Sequence, residues 1–264
     1  MIPEGGEMRT FSLNLHCMQE DQPLEKLRRI ADFIISENID VVLLQEVAQS
    51  VDGTFNAALY ILDILLGKDT RWQMVFDWSH YGWEIWQEGL AILIRGNLED
   101  PTSTYISQSD SKDFWKSRIA LTASWDRTDQ GLEPIQFWNV HLGWWDDVEE
   151  PQQRQLQQLH QLVQASTARN IIVGGDFNSA ASTLSYTNII ETTGWLDTYL
   201  ACNPEGMLDP TIGGLIDGWT NGDPEGMRID YVFLARGELV PVSAQIVLQD
   251  PMVSDHCGLY CEFN

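Results

Sequence analysis

Asp176 and Asn178 stand two residues apart in IIVGGDFNSA, directly after an apolar run. A carboxylate there can orient and deprotonate a water, and an amide can donate to an anionic oxygen. Polar residues follow apolar segments elsewhere too: Asn14 and His16 in SLNLH, Gln45 and Glu46 in LLQEV, and Asn139 and His141 in WNVHL. Asp230 in RIDYVF and Asp255 with His256 in VSDH continue the pattern. A single Asp after a strand usually caps a turn or a helix. Capping is a poor account of a whole series built from carboxylates, amides and imidazoles. Asn, Asp and Glu are hard oxygen donors, the set that holds Mg2+ or Mn2+. His and Asn supply donors for phosphoryl oxygens. The sequence has no Cys/His cluster with zinc spacing, no GxSxG elbow and no GxxxxGK[ST] loop. Divalent metal, water and a phosphate ester use every residue of the set.

Such residues need elements to hold them. RTFSLNLH alternates like a half-buried strand, and Leu24, Leu27, Ala31, Ile34 and Ile35 recur at helical spacing. DVVLLQEV reads as a strand covered on both faces. A second helix is expected from Thr54 to Leu66, closed by Gly67. GLAILI, RIALTASW and IQFWNVHL predict strands, and Pro151 opens a helix with Leu156, Leu159 and Val163 on one face. IIVGG, RIDYVFLA, SAQIVLQ and CGLYCEF predict the remaining strands. Helices and strands mix without a strict βαβ rhythm, which points to two sheets with helices outside. No repeat or linker divides the 264 residues, so one domain over 1–264 is expected.

Fifteen Lys and Arg oppose 39 Asp and Glu, a net charge of −24. That surface disfavours nucleic acid, whose binding relies on basic side chains displacing counterions. The N-terminal segment lacks a basic and apolar leader pattern, and no run reaches the ~18 apolar residues of a membrane span. The four cysteines form no CxxC pair. A cytoplasmic location with reduced thiols and no membrane contact is expected.

SLNLH, LLQEV, QEGLAIL, KSRIALTASW, WNVHL, GGDFNS, RIDYVF and VSDH resemble, in order, the motifs of the endonuclease/exonuclease/phosphatase superfamily. They span Ser12 to His256. The resemblance implies an α/β fold: a four-layer sandwich of two packed mixed β-sheets flanked by helices. It implies Glu46 as principal ligand of Mg2+ (or Mn2+), with Asn14 beside it and Asp255 at a second position. By the same resemblance Asp176 activates the attacking water and Asn178 donates to a phosphoryl oxygen. His256 binds the phosphoryl group with Asp230 fixing its tautomer, and His141 contacts phosphate and protonates the leaving oxygen. Where the nuclease branch often carries an acid, this sequence has His16, which changes the surroundings of any metal.

The segments between motifs bear on the branch. Trp144 and Trp145 follow His141, FDWSHYGWEIWQ adds Trp78, His80, Tyr81, Trp83 and Trp86, and Trp219 lies further on. Such residues either pack in the core or stack on a sugar or base. Arg118 is either a buried structural cation or a phosphate clamp. NLH, EGLAIL, KSR and HLGWW resemble the bacterial sugar-phosphatase branch, which implies a phosphorylated sugar held by Arg118, Trp144, Trp145 and His16. A phosphomonoesterase is therefore weighed against a phosphodiesterase, either a nuclease or a sphingomyelinase, and against a catalytically dead binding module.

Overall fold

Strand β2 (Val41–Ser50) is apolar on both sides, and its two sides enter different cores. Val42 and Leu44 face helices α1 (Pro23–Ser36) and α2 (Ala57–Leu66); Val41 and Leu43 face a second sheet. The computed structural model describes residues 7–214 and 225–264; Trp219 lies outside them. The first sheet also contains β1 (Met8–Asn14), β3 (Trp72–Gly82) and β4 (Trp86–Arg95). The second is built from β5 (Asn97–Tyr105), β6 (Ile119–Asp126), β7 (Ile135–His141), β8 (Asn170–Asp176), β9 (Leu196–Asp197) and β10 (Asp230–Arg236). Strands β11 (Pro241–Val247) and β12 (Gly258–Phe263) return to the first, giving orders β11-β12-β1-β2-β4-β3 and β5-β6-β7-β8-β10-β9.

Helices α3 (Gln152–Ala165) and α4 (Leu184–Thr193) cover the outer face of the second sheet through Leu156, Leu159, Val163 and Ile189. A short helix, α5 (Thr198–Cys202), follows β9. Helix, sheet, sheet and helix make the four layers that the sequence predicts.

Pairing among the described strands is antiparallel except for β1–β2 and β7–β8, each joined through a helix. Parallel strands end on the same side. Asn14 therefore pairs with Gln45, next to Glu46, and His141 pairs with Asp176. Antiparallel β10 begins at that end and sets Asp230 opposite Asp176. The glycines before Asp176 permit close approach. A Cβ on Gly174 would lie 2.7 Å from Leu43 of the other sheet, and one on Gly175 would lie 1.9 Å from the Val140 carbonyl oxygen. Gly175 also has φ +138.

Helix α2 starts at Ala57, later than Thr54, because the Asn56 side chain accepts from the Leu59 N–H and caps it there. Strand β3 is the larger surprise. Trp78, His80 and Tyr81 lie within it and Trp86 within β4, leaving Trp83 at the turn between them. A bulge between Trp78 and His80 breaks the alternation by which a strand is recognised.

The fully buried Arg228 donates to Asp197 at 2.9 Å and lies over the ring of Tyr231 at 4.8 Å. Asp197 also accepts from Tyr186 and from the Tyr199 and Leu200 N–H groups. Arg228→Met removes the cation and leaves that carboxylate buried, so stability should fall by about 3–5 kcal/mol. Urea denaturation checks this, and an unchanged midpoint would refute it.

Candidate active site

The ends of the two parallel pairs meet over a cleft of about 430 Å3. Glu46, Arg118, His141, Asp176, Asn178 and His256 all line it. Asn14 is buried and ties the sheets together: its Nδ2 donates to Glu46 at 2.8 Å and to Asp176 at 3.2 Å. Its Oδ1 accepts the His16 N–H. Asp176 also accepts the Asn178 N–H at 2.8 Å, while the Asn178 Nδ2 donates to the Leu142 carbonyl. Both Glu46 (φ 46) and Asn178 (φ 47) adopt the left-handed conformation, which asparagine tolerates but which is uncommon for glutamate and concentrated at functional sites.

His256 Nδ1 lies 2.9 Å from Asp230, which in turn accepts from the Thr211 hydroxyl. The other ring nitrogen lies 3.8 Å from Asp176. Burial disfavours the imidazolium, but Asp230, Asp176 and Asp255 outweigh it and raise His256 to about 10. Burial and the neighbouring Asp230 raise Asp176 to about 7. Glu46 is pushed well above the usual carboxylate range by desolvation and by Glu88. His141 is pulled well below its ordinary value by burial and by the Arg118 charge. These groups are arranged around charge that is close together and incompletely compensated.

Glu46, His141 and Asp176 bring ligand atoms within 4.8 Å of one another, a grouping that could hold a metal ion. His16, Glu20 and Asp255 form a separate grouping nearer the rim. The expected ligands Glu46 and Asp255 thus fall in different clusters, with Asn14 turned through its NH2 toward Glu46. His16 lines the cleft, its Nδ1 2.9 Å from Glu20 and 3.5 Å from Asp255.

Arg118 is buried at 6% exposure on the cleft wall. Its Nη1 donates to the Trp115 and Ser117 carbonyls, and its Nε has no acceptor among the described residues. Trp144 lines the cleft and meets Trp115 edge to ring at 5.6 Å. Trp145 is half-buried and does not line it, so the two adjacent tryptophans part company. Asp147 accepts from the Glu149 and Glu150 N–H groups and pairs with Lys116, which commits it to the loop.

Glu84, Glu88 and Trp115 line the cleft with no expected role from sequence, and His80, Tyr81 and Trp83, expected either to pack or to stack, line it as well. Glu88 lies in the quoted QEGLAIL segment, yet nothing in a strand interior marks a glutamate as buried. Burial opposes its charge, but His80, His141 and Arg118 outweigh that and hold it at about 2.

A cleft of carboxylates, amides and imidazoles at the edge of a two-sheet sandwich defines a hydrolytic phosphoesterase. Residues 11–256 match the Endonuclease/Exonuclease/phosphatase family, and the chain belongs to that family. No curated protein matches the sequence. Among solved structures it is similar to an endonuclease/exonuclease/phosphatase family protein from Leptotrichia buccalis, with 23% identity and TM-score 0.85 over 97% of this chain and 99% of that one. A Bacteroides thetaiotaomicron mannosyl-6-phosphatase has 16% identity and TM-score 0.67, with 97% and 99% covered. D. rerio TDP2 complexed with single strand DNA product has 17% identity and TM-score 0.68, with 98% and 99% covered. At these identities the likeness establishes a common fold.

The site's electrostatics set a pH dependence for the metal-free protein. Asp176 keeps its proton to about pH 7 when folded, whereas an unfolded aspartate releases it at about 3.9. The folded state binds the extra proton across that window, so stability should fall as pH rises through it. Asp176→Asn should flatten the fall. Urea midpoints in EDTA test both statements; an upward trend, or an unaltered slope in the variant, contradicts them.

Proposed function

We propose that this protein is a Mg2+-dependent phosphomonoesterase that hydrolyses a phosphorylated sugar, with residues 1–264 forming one catalytic domain. The observation that carries the reading is the contrast within the cleft. Carboxylates and imidazoles lie at its floor beside the buried Arg118, while Trp83, Trp115 and Trp144 line its walls. The floor suits a phosphate and the walls suit the faces of a sugar ring. Glu84 and Asp255 also line the cleft, and with the −24 charge they disfavour a polyanionic strand.

Glu46 is the main metal ligand in this reading, held in place by Asn14, with Asp255 contributing from the rim cluster. The donor set fits a hard divalent cation, whose charge would relieve the repulsion that raises Glu46. When bound, such a cation supplies Lewis-acid stabilisation to the phosphoryl oxygens. Asp176 orients the attacking water and accepts its proton. Asn178, Arg118 and His256 hold the non-bridging oxygens, with Asp230 fixing the orientation of His256. His141 protonates the departing sugar oxygen. His16 braces the rim beside Asp255.

The alternative is a phosphodiesterase. Hydrolysis of sugar phosphates, nucleotides, duplex DNA and sphingomyelin, read as phosphate release for the monoesters and as product formation for the diesters, with Mg2+, Mn2+ or EDTA, separates the two. Sugar phosphates should be hydrolysed best and EDTA should abolish turnover; cleavage of diesters alone would overturn the reading. Asp176→Asn should lower kcat by roughly 10²–10⁴-fold with metal binding retained. Trp144→Ala should raise KM for a sugar phosphate more than for an aryl phosphate that lacks the ring. Equal losses on the two substrates would reduce Trp144 to a support.

A further inference from the structure

A buried row of side chains runs along the cleft lining to His141. It starts at His80 on β3, 3% exposed, which sits opposite Glu88 on β4 just after the strand bulge. The bulge leaves Ser79 unmatched and turns His80 to the face on which Glu88 lies. His80 Nδ1 lies 3.0 Å from the Ser117 carbonyl oxygen. The Ser79 hydroxyl lies 2.8 Å from the same nitrogen, and hydroxyl and carbonyl together fix the ring orientation. The other nitrogen faces Glu88 Oε1 at 3.4 Å. The same carboxylate oxygen lies 3.9 Å from His141 Nδ1.

His141 in turn directs its Nε2 to the reaction floor, 3.7 Å from Asp176 and 4.0 Å from Glu46. Space for the carboxylate is built in. A Cβ on Gly82 would fall 2.2 Å from Glu88 Oε2. The Ser117 carbonyl also accepts from Arg118 Nη1 at 3.1 Å, so one backbone oxygen ties this row to the guanidinium on the cleft wall.

We propose that His80 is a positioning residue that holds Glu88 against the Nδ1 side of His141, so that the imidazolium form of His141 is oriented with its Nε2–H toward the leaving oxygen. The inference deepens the phosphomonoesterase reading and rests on it. In the step it serves, a water oxygen bonds to phosphorus while the bond from phosphorus to the sugar oxygen breaks. Asp176 takes the water's proton and His141 gives one to the departing oxygen. An alkoxide leaving group needs that proton; a nitrophenolate does not. Loss of His80 should therefore be selective for poor leaving groups, which a packing defect would not be.

The test compares an alkyl (sugar) phosphate with p-nitrophenyl phosphate. His80→Phe keeps the ring and removes both nitrogens. It should lower kcat on the alkyl ester by about 10²-fold, with KM little altered, and on the nitrophenyl ester only a few-fold. His80→Gln, which retains a donor for Glu88, should recover part of the loss and carries the same comparison if the Phe variant does not fold. In a His141→Ala background His80→Phe should cost nothing further, because residues acting through one another are non-additive. Equal losses on both esters, no loss, or additive losses would overturn the positioning role. Wild-type turnover of diesters alone would instead overturn the monoesterase reading, and aryl and alkyl diesters would then decide the role of His80 by the same criterion.

Discussion

The rest of the structure depends on crowding carboxylates where the two sheets meet. Glu46, Glu88 and Asp176 line one cleft, and Asp230 is buried against His256, with little water to screen them. Each has a different remedy. Asp230 and Asp176 share His256 between them, with the Thr211 hydroxyl on the far side. Glu88 has His80 and, more distantly, Arg118. Glu46 receives only the neutral Asn14 amide, and desolvation and Glu88 still push its carboxyl well above the usual range. Its remedy is the least complete of the four.

Architecture makes that crowding possible. Each sheet has a parallel pair at its centre, and the two pairs end on the same side of the sandwich. Buried amides then lock the sheets in register. Gln45 of the first sheet donates to Asn139 of the second at 2.7 Å, and Asn139 donates back to the Leu44 and Ala91 carbonyls. Directional bonds between buried amides specify one arrangement more sharply than apolar packing does, even with Gln45 Oε1 left without a partner among the described residues. The loops on the Trp115 side are braced separately: Glu150 accepts from the Gln108 and Ser109 N–H groups, and Lys116 pairs with Asp147 and Glu149.

Much of this is legible in the sequence because strand ends are where polar residues interrupt apolar runs. Asn14, Glu46, His141, Asp176, Asp230 and His256 are visible in that way, and the apolar periods around them predict the two-sheet sandwich. Glu88 and His80 are not visible. Both lie inside strands, and their burial follows from a pairing across a bulge that disguises β3. Trp144 and Trp145 cannot be told apart in sequence, since a loop has no period. Packing against Trp115 sorts them. The left-handed residues His16, Cys17 and Met18 give no local sign either, because none is a glycine or asparagine.

Strand β1 lies between β2 and β12, so Thr10 pairs with Val41 on one side and with Cys261 on the other. The first partner follows within a few dozen residues; the second lies 251 residues further along the chain. Until β12 arrives, the growing chain presents β1 as an open edge, a template for pairing with a neighbour. Asp255 and His256 emerge only just before it. Closure of the first sheet and completion of the cleft lining therefore coincide in biosynthesis, and a chain stalled before them exposes a sticky strand while lacking two residues of the cleft wall.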